Sequence, residues 1–176
     1  MESTKNVTYE MIIRLGDLND FLKKLKDEGR KIDEIKDRVD DYGVSLLERA
    51  LVNRKFDIAK YLLENNAKIN VVTKAGNNEL HCIAANINVD GAIEVAKMLV
   101  ERSVSLTLQD LKYGNSAMFT LCQEVFKKRS DEGNAFIIDC LRKCTRFDDV
   151  NKAGYSVRSL IMDRGNEDMK KVLEAV

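Results

Sequence analysis

Four glycines introduce related strings along this chain: Gly43 in DDYGVSLLERAL, Gly76 in TKAGNNELHCIA, Gly114 in LKYGNSAMFTLC and Gly154 in NKAGYSVRSLIM. Their separations are 33, 38 and 40 residues. Self-similarity at such a period marks a repeat architecture in which each repeat is one supersecondary unit. Two residues after each glycine stands Ser45, Asn78, Ser116 or Ser156. Short polar side chains of this kind accept a hydrogen bond from the first helical turn, so each string reads as a turn that opens a helix. The chain has no proline, which leaves glycine, Asn and Asp to punctuate it.

A second helix follows each time. FDIAKYLLENNAKIN, IEVAKMLVERSVSL, FIIDCLRKC and EDMKKVLEA carry the apolar pairs Ile58/Leu62, Val95/Leu99, Ile137/Leu141 and Met169/Leu173. Four-residue spacing puts both members on one helical face. DLNDFLKKLKDEGRKID matches through Phe21/Leu25, with Ile32 corresponding to Ile69, so a unit without the glycine turn begins the series. From turn glycine to second-helix anchor the distances are 15, 19, 23 and 15 residues. The excess of four and eight is about one and two helical turns. Met118, Leu121, Cys122, Val125 and Phe126 keep helical spacing in the third unit. A lengthened first helix ending near KKRSDEGN is expected there, and a loop around NINVDG in the second unit.

These strings resemble ankyrin repeats, whose unit is a β-turn finger plus two antiparallel helices with G-x-T-P-L-H-x-A after the turn. Gly76, Asn78, Leu80 and His81 follow that pattern most closely. Gly43, Ser45, Leu47 and Ala50 match in the first unit, with Leu46 and Glu48 in place of the family's Pro and His. The third keeps Gly114, Ser116 and Met118; the fourth keeps Gly154 and Ser156, with Gly165 at the helix–helix turn. ENNAKIN and FDDVN are similar to the x-G-A-D-V-N ending. The resemblance implies an all-α fold: a solenoid of stacked helix–turn–helix units with short hairpin-like finger loops, one domain over 1–176. Its units are approximately 8–33 (N-terminal cap), 34–70, 71–106, 107–151 and 152–176 (C-terminal cap). One unit alone cannot bury its apolar faces, and stacking supplies the continuous core.

Charge narrows the function classes. Lys plus Arg equals Asp plus Glu at 29 each, without the basic excess of a nucleic-acid binder. No apolar run approaches the length of a membrane span. MESTKNVTYE lacks the basic segment and apolar run of a secretory signal. Four cysteines within apolar-periodic segments read as free thiols in a reducing compartment. The expectation is a cytoplasmic chain with no nucleic-acid or membrane partner.

Candidate chemistry is sparse. His81, the single histidine, could act as base toward Cys82 or Cys122, or brace the finger as the repeat pattern implies. Cys140 and Cys144 share a helical face but lack the second ligand pair of a structural zinc site. Asp40/Asp41 and Asp148/Asp149 do not supply the alternating oxygens of a calcium loop and read as solvated finger-base residues. Phosphate-binding and metalloprotease signatures are absent from the sequence. No catalytic residue, metal or cofactor is expected.

Lysine recurs two residues before the glycine, as Lys74, Lys112 and Lys152, with Asp41 in the first unit. Tyr42, Tyr113 and Tyr155 cluster at the same turns. Tyrosine buries a large area with little rotamer loss, which suits an interface anchor. Matched to the family's finger tips and concave helix ends, the expected partner-binding surface begins with Asp41, Tyr42, Val44, Val52 and Asn53. It continues with Lys74, Asn77, Ala85 and Asn86, then Lys112, Tyr113, Asn115, Gln123 and Glu124. Lys152, Tyr155, Asp163 and Arg164 complete it. The resemblance implies a non-enzymatic module, monomeric when free, that grips a protein partner, and the three aligned lysines favour a partner with an acidic surface. Stoichiometric inhibition, as by a toxin-immunity protein, is the role this suggests; a scaffold or adaptor subunit is the alternative.

Overall fold

A computed structural model describes residues 7–175. Residues 1–6, part of the polar N-terminal string, and residue 176 of the expected last unit lie outside the described residues. Among the described residues the chain is all-helical. It comprises α1 (Tyr9–Leu15), α2 (Leu18–Asp27), α3 (Leu46–Val52), α4 (Phe56–Glu64) and α5 (Glu79–Ala84). Beyond these run α6 (Ala92–Glu101), α7 (Ala117–Lys127), α8 (Asp131–Lys143), α9 (Val157–Arg164) and α10 (Glu167–Glu174). A 3₁₀ turn covers Ile32–Glu34, and isolated bridges join Val39 to Ser45 and Gln109 to Ser116.

The four expected caps open their helices. Ser45, Asn78, Ser116 and Ser156 accept from the backbone N–H of Glu48, His81, Phe119 and Ser159 and begin α3, α5, α7 and α9. Each cap satisfies a donor that a helix N-terminus otherwise leaves unpaired. Ser130 and Asn166 do the same for α8 and α10.

Packing follows a strict order. Each odd-numbered helix rests on the next odd-numbered one, α1 on α3 through to α7 on α9, and the even-numbered helices form a second row, α2 through α10. Each odd helix also packs on the even helix after it. The core lies between the rows, as layered architectures require. Phe21, Ile58, Val95, Ile137 and Met169 are all buried, as are Leu25, Leu62, Leu99, Leu141 and Leu173 four residues on. The anchors read from the sequence thus occupy equivalent environments. Neighbours are also tied by polar contacts: Arg102 donates to the carbonyls of Leu63 at 3.1 Å and Ala67 at 2.8 Å, beyond its own pair.

The eight extra residues of the third unit are divided between two helices. α7 has 11 residues against 7 in α3, and α8 has 13 against 9 in α4. Only one added turn belongs to the first helix. DEGN of KKRSDEGN is the first turn of α8, because the Ser130 hydroxyl accepts from the Gly133 N–H at 3.0 Å and restarts the helix. In the second unit the addition is a non-helical turn ahead of α6. Among the described residues no helix is long and apolar enough to cross a membrane.

Candidate functional site

The segments ahead of α3, α5, α7 and α9 each fold around one short polar side chain. The Asp40 carboxylate accepts from the Tyr42 and Val44 amides, both at 2.9 Å. The Thr73 hydroxyl accepts from Asn77 N–H at 3.1 Å. Asp110 takes Tyr113 and Asn115 at 2.6 and 2.9 Å, and Asn151 takes Ala153 and Tyr155 at 3.0 and 2.9 Å. These side chains mimic a backbone turn. Each segment then reverses at Gly43, Gly76, Gly114 or Gly154, all with positive φ.

Successive fingers are joined through their main chains. Lys74 N–H donates to Tyr42 O, Leu111 N–H to Ala75 O and Lys152 N–H to Tyr113 O, each at 2.9 Å. The three bonds make the finger edge one continuous rail, whose donors do not coincide with the expected lysine row. Asp110 stands four residues before its glycine, whereas Asp40, Thr73 and Asn151 stand three before theirs. The third finger is therefore one residue longer. Leu111, not Lys112, makes the donor contact that Lys74 and Lys152 make in their fingers.

The tyrosines remain outward: Tyr42 is 71% exposed, Tyr113 56% and Tyr155 60%. Asp41, Lys74, Lys112, Lys152, Val52, Ala85, Asp163 and Arg164 are also exposed. Val44, Asn53, Asn77, Asn115, Gln123 and Glu124 are half-buried. Several of these already serve the fold. Asn53 donates to Arg49 O at 2.8 Å, and Glu124 pairs with Lys127 at 2.6 Å. Asn86 is a correction: it is buried, and its amide donates to the carbonyls of Leu51 and Val52 at 3.1 and 3.0 Å. Its oxygen accepts from Arg54 Nε at 2.8 Å. Asn86 closes the end of α3 and presents nothing outward.

The structure brings one part of the expected surface together as a concavity. Lys112, Tyr113, Asn115 and Gln123 from the third unit face Lys152 and Tyr155 from the fourth across a cleft of about 410 Å³. Phe119, Asn151 and Ala153 complete the lining. The sequence reading missed these three. The polar residue three or four positions ahead of each glycine was the available signal for Asn151. Asp40, expected as a solvated finger-base residue, is at the finger base but is engaged there: it anchors the first finger and pairs with Arg49.

His81 is fully engaged. Its Nδ1 faces the Asn78 N–H at 3.3 Å and the Asn78 side-chain oxygen at 2.9 Å, and its Nε2 lies 3.1 Å from Asn115 O in the next finger. Burial lowers its pKa. Burial also holds the thiols of Cys82, Cys122, Cys140 and Cys144 above the ordinary range, against formation of a nucleophilic thiolate. Cys82 donates to Glu48 Oε1 at 3.9 Å. Glu48 and Glu79 are themselves buried, a placement that the surface-favouring chemistry of carboxylates did not announce. Desolvation, reinforced by the charge of Glu79, pushes Glu48 up to about 7, and Glu79 is raised for the same first reason. Among the described residues no three His, Cys, Asp or Glu side chains converge to hold a metal. No family model matches this chain, and no curated protein matches it.

Proposed function

We propose that this chain is an ankyrin-type repeat protein that binds another protein along its finger edge and the adjoining ends of the odd-numbered helices. The observation that carries the reading is the exposure of Tyr42, Tyr113 and Tyr155 along one hydrogen-bonded rail. A surface that meets only water gains nothing by presenting large aromatic side chains on three of four rigid turns, whereas an interface gains area at low entropic cost. Helix pairs stacked in two rows, four of them opened by a cap two residues after a positive-φ glycine, support the repeat assignment. A binding role without chemistry of its own accords with a histidine committed to Asn78 and Asn115 and with thiols kept protonated by burial.

The test is recovery of the partner from the native host with tagged wild type, Tyr113→Ala and Lys112→Glu. Circular dichroism should first show that all three are folded. Loss of one or more proteins from the Tyr113→Ala sample is the expected result. Unchanged recovery by both variants removes this part of the edge from the interface. Light scattering on the recovered complex then reads whether the chain holds one partner, as an inhibitor does.

A further inference from the structure

Resting on that reading, we propose that the cleft between the third and fourth fingers takes a large apolar side chain from a partner segment, with carboxylates flanking that side chain.

The walls define the first half of this ligand. Tyr113 and Tyr155 stand on opposite fingers and are more than half exposed, while Phe119 on α7 is buried beneath the opening. Two exposed aromatic rings in the lining favour an apolar guest, because contact removes that guest and its hosts from water together. Concavity matters here: anchors that dominate binding energy sit in pockets from which water is excluded.

The charges define the second half. Lys112 and Lys152 line the cleft, and no carboxylate lines it. Lys112 Nζ lies 4.7 Å from the centre of the Tyr113 ring. Lys152 Nζ donates to the carbonyls of Leu111 and Lys112. These contacts fix the two ammonium groups at the rim without neutralising them, since rings and carbonyls carry no net charge. A carboxylate on either side of the apolar guest meets one of them, and complementary charge sets register and speeds encounter.

The cleft is also built rather than incidental. It lies where the third finger, one residue longer between Asp110 and Gly114, meets the fourth. Lys152 N–H to Tyr113 O at 2.9 Å and Asn151 Nδ2 to Asn115 Oδ1 at 2.7 Å hold the walls together. His81 reaches Asn115 O from the unit before. A site whose walls are bonded in the free protein loses little entropy when filled.

Selection of a displayed library of random 12-residue peptides against the wild-type chain tests this, followed by fluorescence polarisation on the enriched sequences. The expected peptides combine a large apolar residue with neighbouring Asp or Glu. Their affinity should fall about tenfold or more with Tyr155→Ala and fall again with Lys112→Glu. It should stay within about twofold with Glu101→Gln, an exposed change on α6 in the even-numbered row, away from the fingers. Enriched peptides without an acidic bias, or binding that survives Tyr155→Ala combined with Lys112→Glu, overturn the proposal. Peptides that respond to Tyr42→Ala instead overturn the cleft assignment while leaving the finger-edge reading in place. Failure to enrich any peptide also overturns it, and recovery of the native partner still decides the broader reading. Self-association abolished by Tyr155→Ala would show that a second copy occupies the cleft and would overturn the acidic-segment assignment.

Discussion

Glu48 and Glu79 lie buried at the start of α3 and α5, which pack directly on one another. Glu48 accepts from the Ser45 N–H at 2.7 Å and faces Cys82 and the charge of Glu79. With its pKa lifted from 4.5 to about 7, the folded chain keeps a proton that the unfolded chain has released. The unfolded state therefore binds fewer protons between these values, and stability falls as pH rises from about 4.5 to 7 before levelling off. Glu48→Gln should flatten this decline and raise the urea midpoint at pH 8 relative to wild type. Some slope in the same direction should remain, because Glu79 is shifted the same way. Urea titrations at pH 5, 6, 7 and 8 check both statements; a wild-type midpoint that does not fall between pH 5 and 7 contradicts them.

At the scale of the element, the finger turn is the sensitive point. A methyl group at Gly76 would lie 2.9 Å from both the backbone nitrogen and the Cγ of Leu111, with φ at +82°. Gly154 has a comparable φ of +85° but nothing within 4 Å. The Gly154→Ala cost should therefore be the left-handed penalty alone, about 1–2 kcal/mol. Gly76→Ala should cost more, because the next finger must move and its Leu111–Ala75 bond must stretch. Thermal unfolding of the two variants gives the comparison, and equal shifts would refute it. The helices were legible beforehand because Ser45, Asn78, Ser116 and Ser156 announce their starts and four-residue apolar spacing sets their faces. The third finger was not, because alignment on Gly114 hid an insertion on its other side, where Asp110 rather than a glycine is the reference point. The end of α7 near KKRSDEGN was legible, but the start of α8 inside that string was not, because only the capping geometry of Ser130 shows where the next helix begins. Asn86 misled because its polarity suits solvent equally well, and only the free end of α3 explains its inward turn.

Across the whole molecule, each helix pair touches the pairs beside it, so stability is distributed by neighbours. α5 packs on α3, α6 and α7, whereas α10, at the end of the series, packs chiefly on α8 and α9. Amide hydrogen exchange should show the strongest protection in α5 and α7 and the weakest in α10, which opens without disturbing the centre. Leu80→Ala, at a fully buried position of α5, should cost about 3 kcal/mol or more in global unfolding. Leu173→Ala should chiefly speed exchange in α10; uniform acceleration across all the described helices would argue against neighbour-limited coupling. The rail of Lys74 to Tyr42, Leu111 to Ala75 and Lys152 to Tyr113 has one further consequence. Those amides and carbonyls are already joined to each other, so an incoming chain finds no template there for extending a sheet. On the proposed binding role, discrimination resides in the side chains that crown the turns, and these can be exchanged while the chassis beneath them keeps its wiring. A scaffold of that kind would be open to recoding one crown at a time.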